Sequence, residues 1–81
     1  MIKEIATIGK NAGEEIKVQL TEFKGHDLLD LRVWTKPGSK EGTAEGRPTK
    51  KGLTVRPDII QELIEALTEA GRVYYAGGRS I

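Results

Sequence analysis

The sequence contains no cysteine, which limits how a chain of 81 residues can be stabilised. Disulfides and thiolate metal ligands are excluded, and a single histidine leaves no transition-metal cluster of a common kind. A chain of this length forms one small domain with a marginal core, so a partner subunit is the remaining source of stability. Cysteine-free sequences fit a reducing compartment, so we expect a cytoplasmic, nucleoid-associated location. We also expect a homodimer, because a partner subunit is the remaining source of stability, and no cofactor.

Long apolar runs and a strong net charge are also missing. The first ten residues are too short and too interrupted by charge for a signal peptide or a membrane span, so we expect no membrane association. The net charge is only +1, but most of the charged residues in 35–52 are basic, and all of the charged residues in 57–70 are acidic. Such a distribution indicates a cationic loop and an anionic C-terminal segment, or simply two solvated surfaces.

Aromatic residues are scarce, and the single Phe and single Trp both fall on predicted polar faces. Leu29, Leu31 and Val33 alternate with Arg32 and Trp34, which predicts a strand with one apolar and one polar side. The preceding strand alternates in the same way, and Phe23 lies on its polar side. Large aromatics beside cations on an open sheet are typical of a surface that stacks unpaired bases. A cross-strand aromatic pair that stabilises a hairpin, a slipped register, or a covering helix or partner are the alternatives.

The remaining elements follow from turn signals and periodicity. Lys24-Gly25 is a tight connection between two antiparallel strands, and residues 36–49 form a long loop that we expect to be functional. The first apolar segment could be an edge strand or a helical turn, and we assign it as a strand. The predicted elements are strands at about 2–8, 14–23, 26–35 and 50–56 and a helix at about 57–70, forming one domain over 1–70 followed by a tail at 71–81.

The predicted helix has more apolar surface than a lone helix on a small sheet needs. Pro57 suits its first turn, Asp58 its positive end, and Gly71 its C-terminal end. A second copy of the chain is the simplest partner for the surplus. The expected dimer contacts share one stripe at helical spacing: Ile60, Leu63, Ile64 and Leu67.

Basic residues on or near the polar face are the candidate phosphate contacts. Neutralised phosphates release counterions, so cations spaced along a path would bind a single strand in a salt-dependent way. For any one lysine, a solubilising surface charge is the alternative. Gly52 would let a backbone approach closely. The candidates are Lys24, Arg32, Lys50 and Lys51, with additional contacts from Lys17, Gln19 and His26.

The chain offers no convincing catalytic group. His26, Asp27 and Asp30 are the only cluster that resembles one, but His26 and Asp27 have opposite strand parity and should diverge. No phosphate-binding GxxxxGK[ST] pattern is present. We therefore expect a protein that is not an enzyme.

Three segments together resemble a known family. Ile8-Gly9-Lys10, then EFKGHDLLDLRVW, then KKGLTV before a Pro-initiated helix, are similar in order and spacing to the positive cofactor four family of transcriptional coactivators. The resemblance covers about residues 8–70. It implies an α+β fold with a curved four-stranded antiparallel sheet followed by one C-terminal helix, dimerisation through that helix, and single-stranded-DNA binding with little sequence preference.

The resemblance also implies roles for individual residues. Phe23 matches the family's stacking Phe, Lys24 the basic residue after it, and Arg32 the strand Arg, while Lys51 and Gly52 match its Lys-Gly. His26 stands where the eukaryotic pattern has Lys, and Trp34 lies one position before that pattern's Trp. Because Lys51 shares parity with the apolar residues of its strand, Lys50 is the alternative contact. The eukaryotic Ser-rich acidic region is absent, which indicates a prokaryotic or phage member.

The sequence therefore predicts a non-catalytic, homodimeric single-stranded-DNA-binding protein. Its expected role is in transcription regulation, replication or repair, with the transcription machinery as a further partner. Two alternatives stay open: an RNA-binding chaperone, and a protein-interaction module that uses the exposed aromatic face.

Overall fold

A computed structural model describes residues 2–38 and 45–78 as one antiparallel sheet followed by a helix. The strands are β1 (Lys3–Gly9), β2 (Glu14–Phe23), β3 (His26–Thr35) and β4 (Pro48–Val55), arranged in the order β1-β2-β3-β4. A 3₁₀ turn at Pro57–Ile59 leads into α1 (Ile60–Val73), and a π-helical segment, Tyr74–Gly78, follows. The predicted α+β fold is confirmed.

The β2–β3 hairpin fixes which side chains share a face. Its two loop residues, Lys24 and Gly25, have φ of 51° and 82°, and two consecutive positive φ angles are typical of a type I′ turn. Phe23 then pairs with His26, and Lys17 pairs with Arg32 further along. We call the side with these residues the polar face. The alternation predicted for both strands is present in the structure.

The first apolar segment forms an edge strand rather than a helical turn. β1 pairs antiparallel with β2, with an irregularity between Glu4 and Ala6. The connection is a short turn in which the Asn11 side-chain oxygen accepts a hydrogen bond from the Gly13 amide at 2.9 Å. The hydrophobic periodicity is compatible with both conformations, and hydrogen bonding to the free edge of β2 favours the strand.

β4 begins two residues earlier than the predicted 50–56. Its pairing with β3 is irregular between Arg32 and Trp34, and Trp34 pairs with Pro48. Proline at the first residue of an edge strand removes no ladder hydrogen bond that the sheet needs. The Thr49 hydroxyl donates to the Val33 carbonyl oxygen at 2.7 Å and supports this bulge. Of the predicted functional loop, residues 39–44 lie outside the described residues.

The helix does not end at Gly71 as the sequence predicts, but continues through Val73. Gly71 remains helical, and its missing side chain leaves open space without breaking the backbone hydrogen bonds. Helical geometry breaks at Gly77, where φ is 152°. Residues 79–81 of the predicted tail lie outside the described residues. In the described ranges, no helix combines the length and apolar character needed to cross a bilayer.

Little apolar surface is buried within one chain. Leu29 is the one buried hydrophobic residue among those described, and α1 makes its substantial contacts only with the two short helical segments beside it. The apolar side of the sheet, which we call the apolar face, leaves Ile8 and Leu53 about half exposed. The radius of gyration is 15.0 Å, against about 11.7 Å expected for a compact domain of this length.

Candidate nucleic-acid interface

The polar face combines aromatic, charged and uncharged polar side chains, and all four strands contribute to it. Cross-strand pairing places Glu15 opposite Trp34, Lys17 opposite Arg32, and Gln19 opposite Asp30. β1 adds Glu4 and Thr7, which pair with Gln19 and Lys17. β4 adds Thr54 opposite Asp30. The predicted contacts on β2 and β3 therefore lie on one surface, whereas the acidic neighbours from β1 depend on a register that the sequence does not reveal.

Phe23 is the most accessible aromatic side chain on this face. It is 61% exposed at the end of β2, beside the exposed His26. The left-handed backbone of Lys24 brings its ammonium group over the Phe23 ring, with 5.4 Å between Nζ and the ring centroid. A base that stacks on the uncovered side of this ring would have a cation close by for its phosphate, whereas stacking on the covered side would require Lys24 to move.

Trp34 is less accessible than Phe23. Lys17 Nζ lies 5.3 Å from the centroid of its ring, and the side chain is half-buried. Its indole Nε1 is buried and has no hydrogen-bond partner among the described residues. Lys17 also forms ion pairs with Glu4 at 3.2 Å and with Glu15 at 3.8 Å. Stacking on the covered side of Trp34 would require Lys17 to move.

Arg32 is held in place by its neighbours instead of projecting freely. Its guanidinium donates to Asp30 Oδ1 from Nη2 at 3.0 Å and to the Thr49 carbonyl oxygen from Nη1 at 3.0 Å. Nη2 also donates to the Thr54 hydroxyl, which donates in turn to Asp30 Oδ1 at 2.8 Å. This network links β3 to β4 across the bulge. In this arrangement Arg32 positions β4 and has part of its charge offset by Asp30.

The centre of the polar face is close to charge balance. The carboxylates of Glu4, Glu15 and Asp30 lie next to the two cations Lys17 and Arg32. Hydrogen bonds from Thr7 and Lys17 lower the pKa of Glu4, so its charge is favoured. The cations that remain most exposed are therefore at the hairpin end and on β4.

The β4 candidates do not all face the same way. Lys50 and Lys51 are both exposed, and Lys51 Nζ lies 3.6 Å from Glu14 Oε2. Glu14 shares its face with Ile16, so the ion pair draws Lys51 away from the polar face, as its parity with the apolar residues suggested. Gly52 lies opposite Arg32 with φ of 150°, and a Cβ there would clash with the Leu31 carbonyl oxygen. The backbone that approaches Gly52 closely is therefore that of β3.

A cleft lies at the hairpin end of the polar face, and we call it the hairpin cleft. It has a volume of about 640 Å³. Arg56 and Asp58 contribute its charged wall from the segment after β4, and their ion pair is 2.9 Å long. Sequence reasoning missed this wall because it depends on where β4 ends. The lining residues are Phe23, His26, Asp27, Leu28, Arg56, Pro57 and Asp58. Among the described residues, no group of three or more His, Asp or Glu side chains is placed to hold a metal ion.

An open antiparallel sheet with an aromatic and cationic face, followed by one helix, defines a small class of α+β proteins. The family described as Transcriptional Coactivator p15 (PC4) matches residues 10–66, and the chain belongs to this family. The matched range begins directly after β1 and ends within α1, so β1 and the later part of α1 lie outside it. No curated protein matches the sequence.

Two solved structures have the same fold. The orthorhombic crystal form of a PC4 homolog from Burkholderia pseudomallei K96243 is 26% identical with a TM-score of 0.73, covering 86% of this chain and 89% of that one. The tetragonal form is 25% identical with a TM-score of 0.73, covering 89% and 100%. These similarities agree with the predicted prokaryotic member of the family.

Proposed function

We propose that this protein is a homodimeric, non-catalytic single-stranded-DNA-binding protein with little sequence preference, acting in transcription regulation, replication or repair. The single observation that carries the proposal is Phe23, 61% exposed on the polar face with the Lys24 ammonium over its ring. An aromatic ring offers a stacking surface to every base, so it binds unpaired DNA without selecting a particular base sequence. Membership in the PC4 family supports the same function.

The proposed binding path begins at the hairpin end and runs across the polar face towards β4. Phe23 stacks a base, while Lys24 and His26 flank it and Lys50 offers a further cation. Trp34 becomes a second stacking surface when a phosphate displaces Glu4 or Glu15 from Lys17 and the lysine moves off the ring. Gln19 lies between these positions, and Arg32 keeps β4 in register.

The proposed dimer follows from the apolar surface that one chain leaves exposed. The accessible surface is 6232 Å², whereas a compact monomer of this mass has about 4,800 Å². The excess exceeds the roughly 800 Å² per partner of a standard interface. On α1, Ile64 and Leu67 are 50% and 67% exposed. We therefore assign the stripe of Ile60, Leu63, Ile64 and Leu67 to contact with a second copy.

The test is a comparison of Phe23→Ala with Tyr75→Ala. Both substitutions remove an exposed aromatic ring, but Tyr75 lies after α1 and outside the polar face. We expect Phe23→Ala to weaken binding of a dye-labelled oligothymidine by about 1–3 kcal/mol, since one stacked base is lost. Tyr75→Ala should bind like the wild type. Fluorescence anisotropy at low and high salt measures both affinities, and the affinity should fall with salt.

Three results would contradict the proposal: equal binding of duplex and single strand, no response to either polymer, or full affinity in Phe23→Ala. Failure to bind any oligonucleotide would favour a protein-interaction module. Stronger displacement by RNA of the same length would favour an RNA chaperone.

A further inference from the structure

The hairpin cleft is lined by both the exposed stacking ring and a carboxylate. Phe23, Leu28 and Pro57 give it apolar walls, and Arg56 and Asp58 form a charged wall. His26 and Asp27 also line the cleft. Its volume of about 640 Å³ lies within the range of small-ligand pockets. The cleft can therefore hold one unpaired base with its flat side on Phe23 and its edge towards polar groups.

Asp58 is accessible as a hydrogen-bond acceptor for such a base. Arg56 Nη2 donates to Asp58 Oδ2 at 2.9 Å, which orients the carboxylate and offsets its charge beside the phosphates. The side chain of Asp58 is 60% exposed, and no described residue bonds to its Oδ1. An ionised carboxylate only accepts hydrogen bonds, so it selects a base edge that donates.

The Watson–Crick edges of the four bases meet this requirement unequally. Guanine presents two adjacent donors, N1–H and the 2-amino group, which match the two oxygens of a carboxylate. Adenine and cytosine each place a ring-nitrogen acceptor beside their amino group, and that acceptor repels a carboxylate. Thymine has one donor between two acceptors. A carboxylate that lines the same cleft as a stacking ring therefore discriminates in favour of guanine.

We propose that the hairpin cleft is a guanine-preferring base subsite in which Phe23 stacks the base and Asp58 reads its Watson–Crick edge. This inference rests on the proposed single-strand binding and adds one base preference to an otherwise sequence-tolerant path. Asp58 is the specificity-determining residue, and Arg56 is a positioning residue that acts through it.

The experiment uses oligothymidines with one central dG, dA or dC, because isolated guanines in a thymidine background do not form four-stranded structures. Competition against a labelled oligothymidine gives each relative affinity for the intact chain. We expect the dG-containing strand to bind about fivefold or more tightly than all-thymidine, the lower end of a bidentate base contact.

Asp58→Asn turns one acceptor into a donor without changing the shape of the side chain. An amide matches the donor and acceptor of adenine or cytosine, so the variant should lose the dG preference and bind the dA or dC strand at least as well as the dG strand. Glu62→Gln, which removes the same charge from an exposed position on α1, is the control and should keep the wild-type order of affinities.

The outcomes separate this inference from the proposed function. Wild-type binding of oligothymidine without a dG preference overturns the guanine subsite and leaves single-strand binding intact. A dG preference that survives in Asp58→Asn also overturns it, provided that the variant has the wild-type circular dichroism spectrum. Absence of binding to every strand overturns both. If Asp58→Asn does not fold, the relative affinities of the wild type for the dG-containing and all-thymidine strands still test the guanine preference.

Discussion

Individual residues of the polar face differ in how far their chemistry is available to a ligand. Phe23 is 61% exposed at a hairpin end, so a base can reach the side of the ring that Lys24 does not cover, whereas stacking on the covered side would require Lys24 to move. Trp34 and Arg32 have the right chemistry, but Lys17 covers the first and Asp30 holds the second. Binding at the centre of the face therefore has to exchange protein ion pairs for contacts with phosphates.

Glu14 is expected to stabilise the folded protein in a pH-dependent way. A hydrogen bond from Asn11, then one from Lys10, lowers its pKa from 4.5 to about 2, with further attraction from the charges of Lys10 and Lys51. A carboxyl group whose pKa is lower in the folded state stabilises the fold above its unfolded pKa, and this stability disappears as the pH falls through the folded value. The contribution of Glu14 should therefore be complete above pH 4.5 and lost progressively towards pH 2.

The measurement is urea unfolding of the wild type and Glu14→Gln across that range. The difference in free energy of unfolding should be largest near neutral pH and shrink as the pH falls, since both proteins then carry an uncharged side chain. Glu62→Gln on α1 is the control for a loss of surface charge far from this turn. A Glu14→Gln effect that stays constant over the range would contradict the prediction.

At the scale of elements, β4 is the strand whose placement depends most on specific contacts. It is an edge strand with a bulge opposite Val33, and Thr49 and Arg32 bond across that bulge. Gly52 allows the backbones to approach where β4 resumes regular pairing. The bulge and the glycine together determine where β4 ends, and so where the hairpin cleft acquires its charged wall.

Gly52→Ala should therefore destabilise the protein. Its φ of 150° is strained for a residue with a side chain, and the new Cβ would clash with the Leu31 carbonyl oxygen. Backbone strain alone costs about 1–3 kcal/mol, and the clash adds to it. Gly71→Ala is the matched control, because its Cβ would meet open space in α1 and should stabilise by about 0.5–1 kcal/mol. Thermal or urea unfolding measures both, and a Gly52→Ala variant as stable as the wild type would contradict this account.

At the largest scale, one chain is open and leaves large apolar side chains exposed. Its extents are 41 × 35 × 18 Å, and α1 leaves its apolar stripe and the apolar face of the sheet largely uncovered. Burying a leucine side chain contributes about 1.5–3 kcal/mol, so a few such residues from each copy suffice for a stable dimer. This geometry is why we expect folding and dimerisation to be coupled.

Leu67→Asp tests the proposed dimer. Leu67 is 67% exposed in one chain, and a carboxylate at that position would be costly to bury in an interface. We expect the variant to sediment as a monomer at concentrations where the wild type is a dimer. Glu65→Lys changes the charge of an exposed side chain on the side of α1 opposite the stripe and should remain dimeric. A monomeric wild type, or a dimeric Leu67→Asp, would contradict the assignment.

Features that depend on local chemistry could be predicted from the order of the amino acids. Alternation over 14–23 and 26–35, with Lys24-Gly25 between them, was sufficient to predict the hairpin and the faces of Phe23 and Arg32. Helical spacing was sufficient for the apolar stripe of α1. The reason is that side-chain direction has a period of two in a strand and 3.6 in a helix, whatever the rest of the chain does.

Which charges meet, and how accessible each predicted contact is, depends on how the strands are arranged in three dimensions. The ion pairs of Lys17 with Glu4 and of Lys51 with Glu14 join residues on different strands, and the Arg56–Asp58 wall depends on where β4 ends. Such contacts depend on strand register and on a bulge, and one residue of slip would move every side chain to the opposite face. Pairing between strands distant in sequence sets that register, and no local pattern encodes it.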